Sequence, residues 1–392
     1  MAATPETPRE RPAPDASGDG RWMDEALALA RGAASRTWPN PPVGAVVVRD
    51  GVVVGRGAHE GAGTPHAEPI ALAEAGDRAR GATLYVTLEP CNHQGRTPPC
   101  APAVAASGVT RVVVAMRDPN PAVIGGGCRH LRDRGIRVDC GLRAAAALDL
   151  VWPFVTTDNF ARPYVELKTA HSLDGWFAPD AVLRESDAPF YLTGEVARHD
   201  VHRRRRRVDL VVVGEETVAA DRPRLDGRLA AAESDVPNED PVAAYVDTDL
   251  SWAGGFARDE YVVFAGETAR ESAARARIEA DGGRVIFCRE SAGRVDPADL
   301  VARAGAAGFL AIMVEGGARL AAAFLRAGVV DRWLRYQAPV VLGGGVGWPD
   351  GFLPAGAVDR SFRLTSTTRL GPDLLTIHDR RDFAAVLARV TL

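Results

Sequence analysis

Apolar residues recur with helical spacing from Trp22 through MDEALALARGAA, and Asp24 and Glu25 suit a first helical turn. VGAVVVRDGVVVGRGAH then sets two β-rich runs on either side of Asp50-Gly51, a pair that predicts a tight hairpin. The pattern next predicts a helix over 66–75, a buried strand in ATLYVTL, a small-residue helix near 101–107 and a strand at RVVVAM. Weaker elements run to about 141. The order β-β-α-β-α-β implies a mixed sheet with helices on its faces. From about 142 to 162 the chain reads as a helix and crossing segment, and a second alternation opens at PYVELKTA. Further strands are predicted at 208–213, 242–246, 261–264, 284–288, 310–314 and 336–342. The economical organisation is a tail over 1–20, one α/β domain over 21–150, a linker over 151–162 and a second α/β domain over 163–392.

The 392 residues leave room for two such domains, and a hydrophobic share of 46% is enough to build their cores. A formal charge of -4 argues against a dedicated nucleic-acid or anionic-membrane binder. No run of about 18 apolar residues predicts a membrane span. The stretch MAATPETPRERPAPDASGDG lacks an apolar signal core and reads as a disordered tail. Five cysteines without a dense framework suit a reducing compartment, so the expected location is the cytoplasm. The basic residues are lopsided: all but Lys168 of the 47 are arginine. Coding bias explains the arginines, but a single lysine raises the question of whether its position needs a compact ammonium.

The sharpest chemical pattern is His66-Ala67-Glu68, then Pro90-Cys91, then Cys100 after eight intervening residues. One imidazole and two thiolates give Zn²⁺ three ligands and leave a fourth position for water, whose pKa the metal lowers. Glu68 lies near the metal and is free to move protons. H-x-E followed by P-C and a second cysteine is the signature of zinc nucleobase deaminases. A structural zinc site would need a fourth ligand, and His93 is the donor at close spacing that could close it. Cys128, Cys140 and Cys288 lack partners at ligand spacing and read as core thiols.

PNPPVGAVVVRDG, HAE, GATLYVTLEPCNHQGRTPPC, GVTRVVVAMRDPNP and GGGCRHLRDRGI together resemble the deaminase half of the bifunctional riboflavin-biosynthesis deaminase/reductase. The long gap between the cysteines is particular to that family. The resemblance implies a cytidine-deaminase-like α/β/α fold and a 2,5-diamino-6-ribosylamino-pyrimidinone phosphate substrate that loses its C2 amine. It places Asn40 at the pyrimidine pocket, with Pro42 standing where the family often has a polar residue.

The second half shows no G-x-G-x-x-G after a first strand, so a Rossmann domain is not supported. VEGGARLAAAFL sets Gly316-Gly317 at a helix start, where backbone N–H groups can approach a phosphate; an ordinary strand-to-helix turn has the same look. YVELKTAHSLDG, LTGEVARHDVHRRRRRVDLVVVGEETVAADRPRLDGR and VEGGARLAAAFLRAGVVDRW resemble the reductase half of the same family. That half is similar in fold to dihydrofolate reductase and uses NADPH to reduce the ribosyl group to a ribityl chain. The resemblance implies that Ala170, Tyr191, Thr217, Asp221 and Gly317 contact the cofactor. Arg205, Leu225 and Arg228 would bind the substrate and its phosphate, and Lys168 and Glu315 would sit at the ribose. His171 replaces a small residue beside the nicotinamide pocket, and Arg222 replaces an acid. Tyr191 takes a position usually held by Trp, and the segment 176–190 is longer than usual. The arginine run 203–207 reads as a solvated helix face with one or two functional members.

Three readings follow. The first is a bifunctional enzyme with zinc and NADPH, acting on a small-molecule substrate as a homodimer or larger homo-oligomer. The second keeps the deaminase and makes the other half inactive or repurposed for another aminopyrimidine. The third is a structural-zinc module for nucleic acid, and the acidic balance and the free Glu68 argue against it.

Overall fold

The computed structural model describes residues 18–34, 37, 40–94, 97–120, 126–179, 190–228, 240–252, 255–353 and 357–391. Most of the expected tail and part of the long 176–190 segment lie outside the described residues, but Asp19 and Gly20 already belong to the first helix.

The first layer begins with α1 (Asp19–Ala33), then β1 (Gly44–Arg49) and β2 (Val52–Ala58). Asp50 and Gly51 between these strands both have positive φ, 51° and 74°, the backbone of a two-residue hairpin turn. Next come α2 (Ala67–Ala75), β3 (Thr83–Val86), α3 (Cys100–Ala106), β4 (Arg111–Val114), α4 (Gly126–Arg132) and β5 (Arg137–Cys140). The sheet order is β2-β1-β3-β4-β5, antiparallel around β1 and parallel from β3 to β5. Alternate Val and Ala side chains bury both faces under the helices, as a sheet covered on both sides requires.

α5 (Ala144–Phe160) runs unbroken across the expected linker. Val151, Trp152 and Val155 pack into the first core, so the connection is a docked helix. Pro153 lies inside that helix.

The second layer comprises β6 (Tyr164–His171), α6 (Glu195–Arg205), β7 (Leu210–Gly214), α7 (Glu215–Asp221), β8 (Val242–Val246) and β9 (Tyr261–Gly266). It continues through α8 (Ala274–Ala280), β10 (Gly283–Cys288), the short pair β11 (Glu290–Ser291) and β12 (Arg294–Val295), and α9 (Pro297–Ala306). β13 (Ala311–Glu315), α10 (Ala318–Arg326), β14 (Arg332–Gln337), β15 (Phe362–Leu370), β16 (Asp373–Arg380) and α11 (Phe383–Thr391) complete the chain. Nine strands form one sheet, β10-β9-β8-β7-β13-β6-β14-β16-β15, parallel up to β14 and antiparallel beyond it. Val211, Val213 and Met313 fill one face, while Leu210, Val212, Ile312 and Val314 fill the other.

Two expectations shift. The strand expected at 336–342 lies at Arg332–Gln337, where RWLRYQ buries alternate residues. The last helix does not belong to the second core. Val386 and Val390 of α11 pack into the first one, and the Val390 carbonyl accepts the Arg117 N–H at 2.8 Å.

Candidate active sites

His66 is the N-cap of α2, which puts Glu68 in the first turn and carries both side chains to one cavity. Cys100 opens α3, and its backbone N–H donates to Cys91 Sγ at 3.3 Å. His66 Nδ1 lies 3.0 Å from Cys100 Sγ and 3.5 Å from Cys91 Sγ. With Nδ1 turned to the sulfurs, Nε2–H is left to donate to Thr97 Oγ1 at 3.1 Å, an orienting contact of the kind metal-bound imidazoles use.

The hydrogen bond from the Cys100 thiol, helped by His66 and the Cys100 N–H, pulls Cys91 down to about 4 against the opposing effect of burial. Cys100 is pushed up by that same bond, so the pair already shares one thiolate. The three donor atoms lie within 4.8 Å of one another, and this soft N/S set fits Zn²⁺. Among the described residues no fourth His, Cys, Asp or Glu joins the cluster, and His93 lines the cavity outside it. The arrangement is that of an open site.

The cavity measures about 340 Å³, within the range of small-molecule pockets. Glu68 is only 3% exposed on its wall. Burial, with the Cys91 charge adding, pushes its carboxyl up to about 7, where it can both take and give a proton near neutral pH. Asn40 lies on the same wall. Its Nδ2 donates to His59 Nε2 at 2.9 Å, because His59 Nδ1–H is committed to the Pro65 carbonyl at 3.1 Å. Burial lowers the His59 pKa and keeps it in this neutral, accepting form. Sequence reasoning missed His59; its one signal was a histidine closing an otherwise apolar strand. Glu89 shapes the cavity floor by accepting from Cys128 N–H at 2.8 Å and Asp118 N–H at 3.2 Å. Gly127 beside it is required, since a Cβ there would meet the Pro90 carbonyl oxygen at 1.8 Å.

The second site forms on one face of the nine-stranded sheet. Lys168 of β6 and Glu315 of β13 are register partners. Arg205, at the end of α6, grips the Glu315 carboxylate through Nε at 2.6 Å and Nη2 at 2.9 Å, and gives Nη1 to the Asp226 carbonyl at 3.0 Å. Burial would raise the Glu315 pKa, but the Arg205 charge and hydrogen bonds, with Lys168 adding, hold it below the usual range. Lys168 itself makes no hydrogen bond or ion pair among the described residues. Burial, with the Arg205 charge, lowers its pKa, while Glu315 and Asp221 oppose that shift.

The remaining expected residues are distributed around this pair. Arg205 spends three of its five N–H groups on Glu315 and Asp226, and Arg224 and Arg228, ion-paired with Asp226 at 2.8 and 2.7 Å, are the exposed cations beside it. Leu225 is buried with positive φ, which leaves its backbone as the part that can face a ligand. Ala170 shares the Lys168 face, and Thr217 and Asp221 are half-buried on α7. Arg222, also at positive φ, caps that helix. Tyr191 is 60% exposed, with Arg198 4.7 Å over its ring. Gly317 caps α10, and a Cβ there would meet nothing within 4 Å, so the helix start is open to a ligand phosphate.

Two expectations fail here. His171 does not face the Lys168 side: strand alternation turns it to the opposite face, where it is 1% exposed with its ring 4.4 Å from Phe177 and 5.9 Å from Trp348. The arginine run is not a solvated face either. Arg204 pairs with Asp200 at 2.8 Å and faces Glu166 at 3.8 Å, Arg205 holds Glu315, and Arg206 is buried. Only Arg203 and Arg207 are exposed; Asp200 on the same helix and the strand carboxylates Glu166 and Glu315 hold Arg204 and Arg205 inward.

Comparison with known proteins finds relatives for both halves of the chain. The family described as the cytidine and deoxycytidylate deaminase zinc-binding region matches residues 16–116, and the RibD C-terminal domain matches residues 163–376. The riboflavin biosynthesis protein RibD of Aquifex aeolicus is 37% identical over 92% of this chain and 98% of its own length. RibD of Escherichia coli is 37% identical over 83% of this chain and 89% of its own. The structure is similar to Acinetobacter baumannii RibD, with a TM-score of 0.73, 33% identity and coverage of 92% and 98%. It is also similar to a diaminohydroxyphosphoribosylaminopyrimidine deaminase/5-amino-6-(5-phosphoribosylamino)uracil reductase of Thermotoga maritima, with a TM-score of 0.75, 29% identity and the same coverage.

Proposed function

We infer the roles of individual residues from one premise: the chain belongs to the RibD family of riboflavin-biosynthesis proteins. It carries both halves, a zinc-binding deaminase and a reductase, and is a bifunctional enzyme of riboflavin biosynthesis. Its substrates are then a diaminohydroxyphosphoribosylaminopyrimidine and, after deamination, 5-amino-6-(5-phosphoribosylamino)uracil, as in the Thermotoga protein.

The observation that carries the reading is the three-donor cluster with buried Glu68 beside it. Zinc on His66, Cys91 and Cys100 supplies a polarised water when bound. Glu68 takes a proton from the attacking water and delivers one to the departing amine. Asn40, aligned by His59, holds the pyrimidine edge. In the second half NADPH supplies the hydride. Lys168, whose ammonium lies 6.0 Å over the Tyr336 ring and makes no hydrogen bond among the described residues, steadies charge at the opening ribose, and Glu315, positioned by Arg205, accepts from its hydroxyls. Arg228 takes the phosphate beside the Leu225 backbone. Ala170, Tyr191, Thr217, Asp221 and Gly317 receive the cofactor, the last through the open start of α10.

The test is incubation of the purified protein with the diaminopyrimidine, with and without NADPH, followed by mass analysis. The deaminated ribosyl compound should accumulate without NADPH and the ribityl compound with it. Accumulation of the ribosyl compound in both cases would leave the reductase assignment without support. Among the described residues no helix is long and apolar enough to cross a membrane. A cytoplasmic homodimer or larger homo-oligomer is the assembled form we propose, to be measured by light scattering.

A further inference from the structure

A second cavity, of about 440 Å³, opens between the two domains at the end of the nine-stranded sheet opposite Lys168 and Glu315. None of the zinc donors lines it. One wall comes from α1 and α5 of the first domain, and the other from the starts of β6, β7, β8 and β13 and the end of α6.

Its carboxylates already have partners. Asp149 pairs with Arg332, and Glu166 faces Arg204 at 3.8 Å. Asp209 accepts Leu310 N–H and Ala311 N–H at 2.8 and 2.9 Å, and Asp240 accepts Gly227 N–H at 2.9 Å. Three arginines on the wall, Arg31, Arg206 and Arg207, make no side-chain hydrogen bond or ion pair among the described residues. Arg206 is only 5% exposed, and its Nε and Nη1 are buried without a partner. The hydroxyl of Tyr164, on the same wall, is likewise buried and unpartnered. Two buried donor groups without partners, the Arg206 guanidinium and the Tyr164 hydroxyl, with Arg31 and Arg207 beside them on the wall, describe a space shaped for an anion.

We propose that this cavity binds a small phosphate monoester that carries a ring, of nucleotide size. Guanidinium forks match phosphate oxygens in pairs, and the Tyr164 hydroxyl adds a donor. Trp152, Phe154 and Phe309 give flat apolar wall for a ring, and the volume lies in the range of small-molecule sites. Arg31 comes from the first domain and Arg206 and Arg207 from the second, so the ligand bridges the domains. Phe154 also lines the zinc cavity, so the two pockets share a wall.

Calorimetric titration of the full chain tests this with uridine monophosphate, uridine and inorganic phosphate as probes. Uridine monophosphate should bind saturably and at least about ten-fold more tightly than either fragment, and should raise the melting temperature. Arg206→Gln and Arg207→Gln should each weaken it about ten-fold, and Arg228→Gln should leave this binding unchanged. The Arg206 stem packs on Gly227, so Arg207→Gln, on an exposed side chain, decides the matter if the first variant does not fold. Absence of saturable binding, equal affinity for phosphate alone, or binding that survives Arg207→Gln but is lost in Arg228→Gln would overturn the assignment.

Discussion

Lys168 and Glu315 stand opposite each other in register on the parallel strands β6 and β13, with Arg205 holding the carboxylate and no described residue holding the ammonium. The only lysine of the chain is therefore a cation with its hydrogen bonds unspent among the described residues, at the site we propose for reduction of the ribosyl group. Lys168→Arg keeps the charge but replaces a compact rotor with a wide planar fork. Reduction of the deaminated substrate should fall about 10²-fold or more, while ammonia release stays within about two-fold. NADPH oxidation and ammonia assays on the same preparation check both, and an undiminished reductase would remove Lys168 from the mechanism.

Arg205 and Glu315 are each about a tenth exposed, at 10% and 8% of their side chains. Removing one partner leaves the other charge buried without compensation, which typically costs about 3–5 kcal/mol. Arg205→Met should therefore lower stability by an amount of that order in urea unfolding. Arg205→Met combined with Glu315→Leu should recover most of the loss, though not the reductase activity. Arg205→Lys should recover part of both, because an ammonium cannot reproduce the two-point grip.

Local patterns make the zinc donors and the hairpin legible in the sequence. His66 and Glu68 open one helix and Cys91 and Cys100 lie on the loop and helix start that follow β3, so each short segment carries its own recognisable spacing although 25 and 34 residues separate the cysteines from His66. The arginine run does not yield to spacing. Five identical residues have no periodicity, and which of them turn inward depends on carboxylates distant in sequence, such as Glu166 and Glu315. The docking of α11 on the first core is a tertiary choice of the same kind. The β15–β16 hairpin is not legible because FRLTSTTRL is mostly exposed and carries little hydrophobic alternation. His171 illustrates a third cause: it follows the pocket residues directly along the strand, but one step of strand alternation sends it to the far face.

His171 also gives a pH dependence with a defined sign. Burial, with the Arg335 charge adding, lowers its pKa from 6.5 to about 4. The unfolded chain thus binds this proton first, so the stability contributed by neutral His171 is present above pH 6.5 and is lost as pH falls towards 4. The span corresponds to roughly 3 kcal/mol at most. His171→Phe keeps an aromatic ring against Phe177 and Trp348 while giving up the hydrogen bond to Thr169 Oγ1 at 2.8 Å. It should be less stable than the parent at pH 8 and should close the gap as pH falls through this window. Parallel stability curves for the two proteins would show that His171 does not titrate in this way.

Glu68 separates proton transfer from metal binding. Its carboxyl is buried beside the donor cluster, yet the cluster is complete without it: one imidazole nitrogen and two sulfurs within 4.8 Å. Glu68→Gln preserves the side-chain shape and removes the carboxyl that we propose takes and gives the proton. Ammonia release should fall on the order of 10³-fold, the usual scale for a lost general acid–base group. Zinc should stay at about one per chain by atomic absorption, because the three ligands are untouched. Cys91→Ser should lose the metal and deamination together, and both variants should still reduce authentic deaminated substrate. Zinc loss in Glu68→Gln would make Glu68 a ligand or a support for one, and turnover near the parent rate would move the proton transfer to another group on the cavity wall.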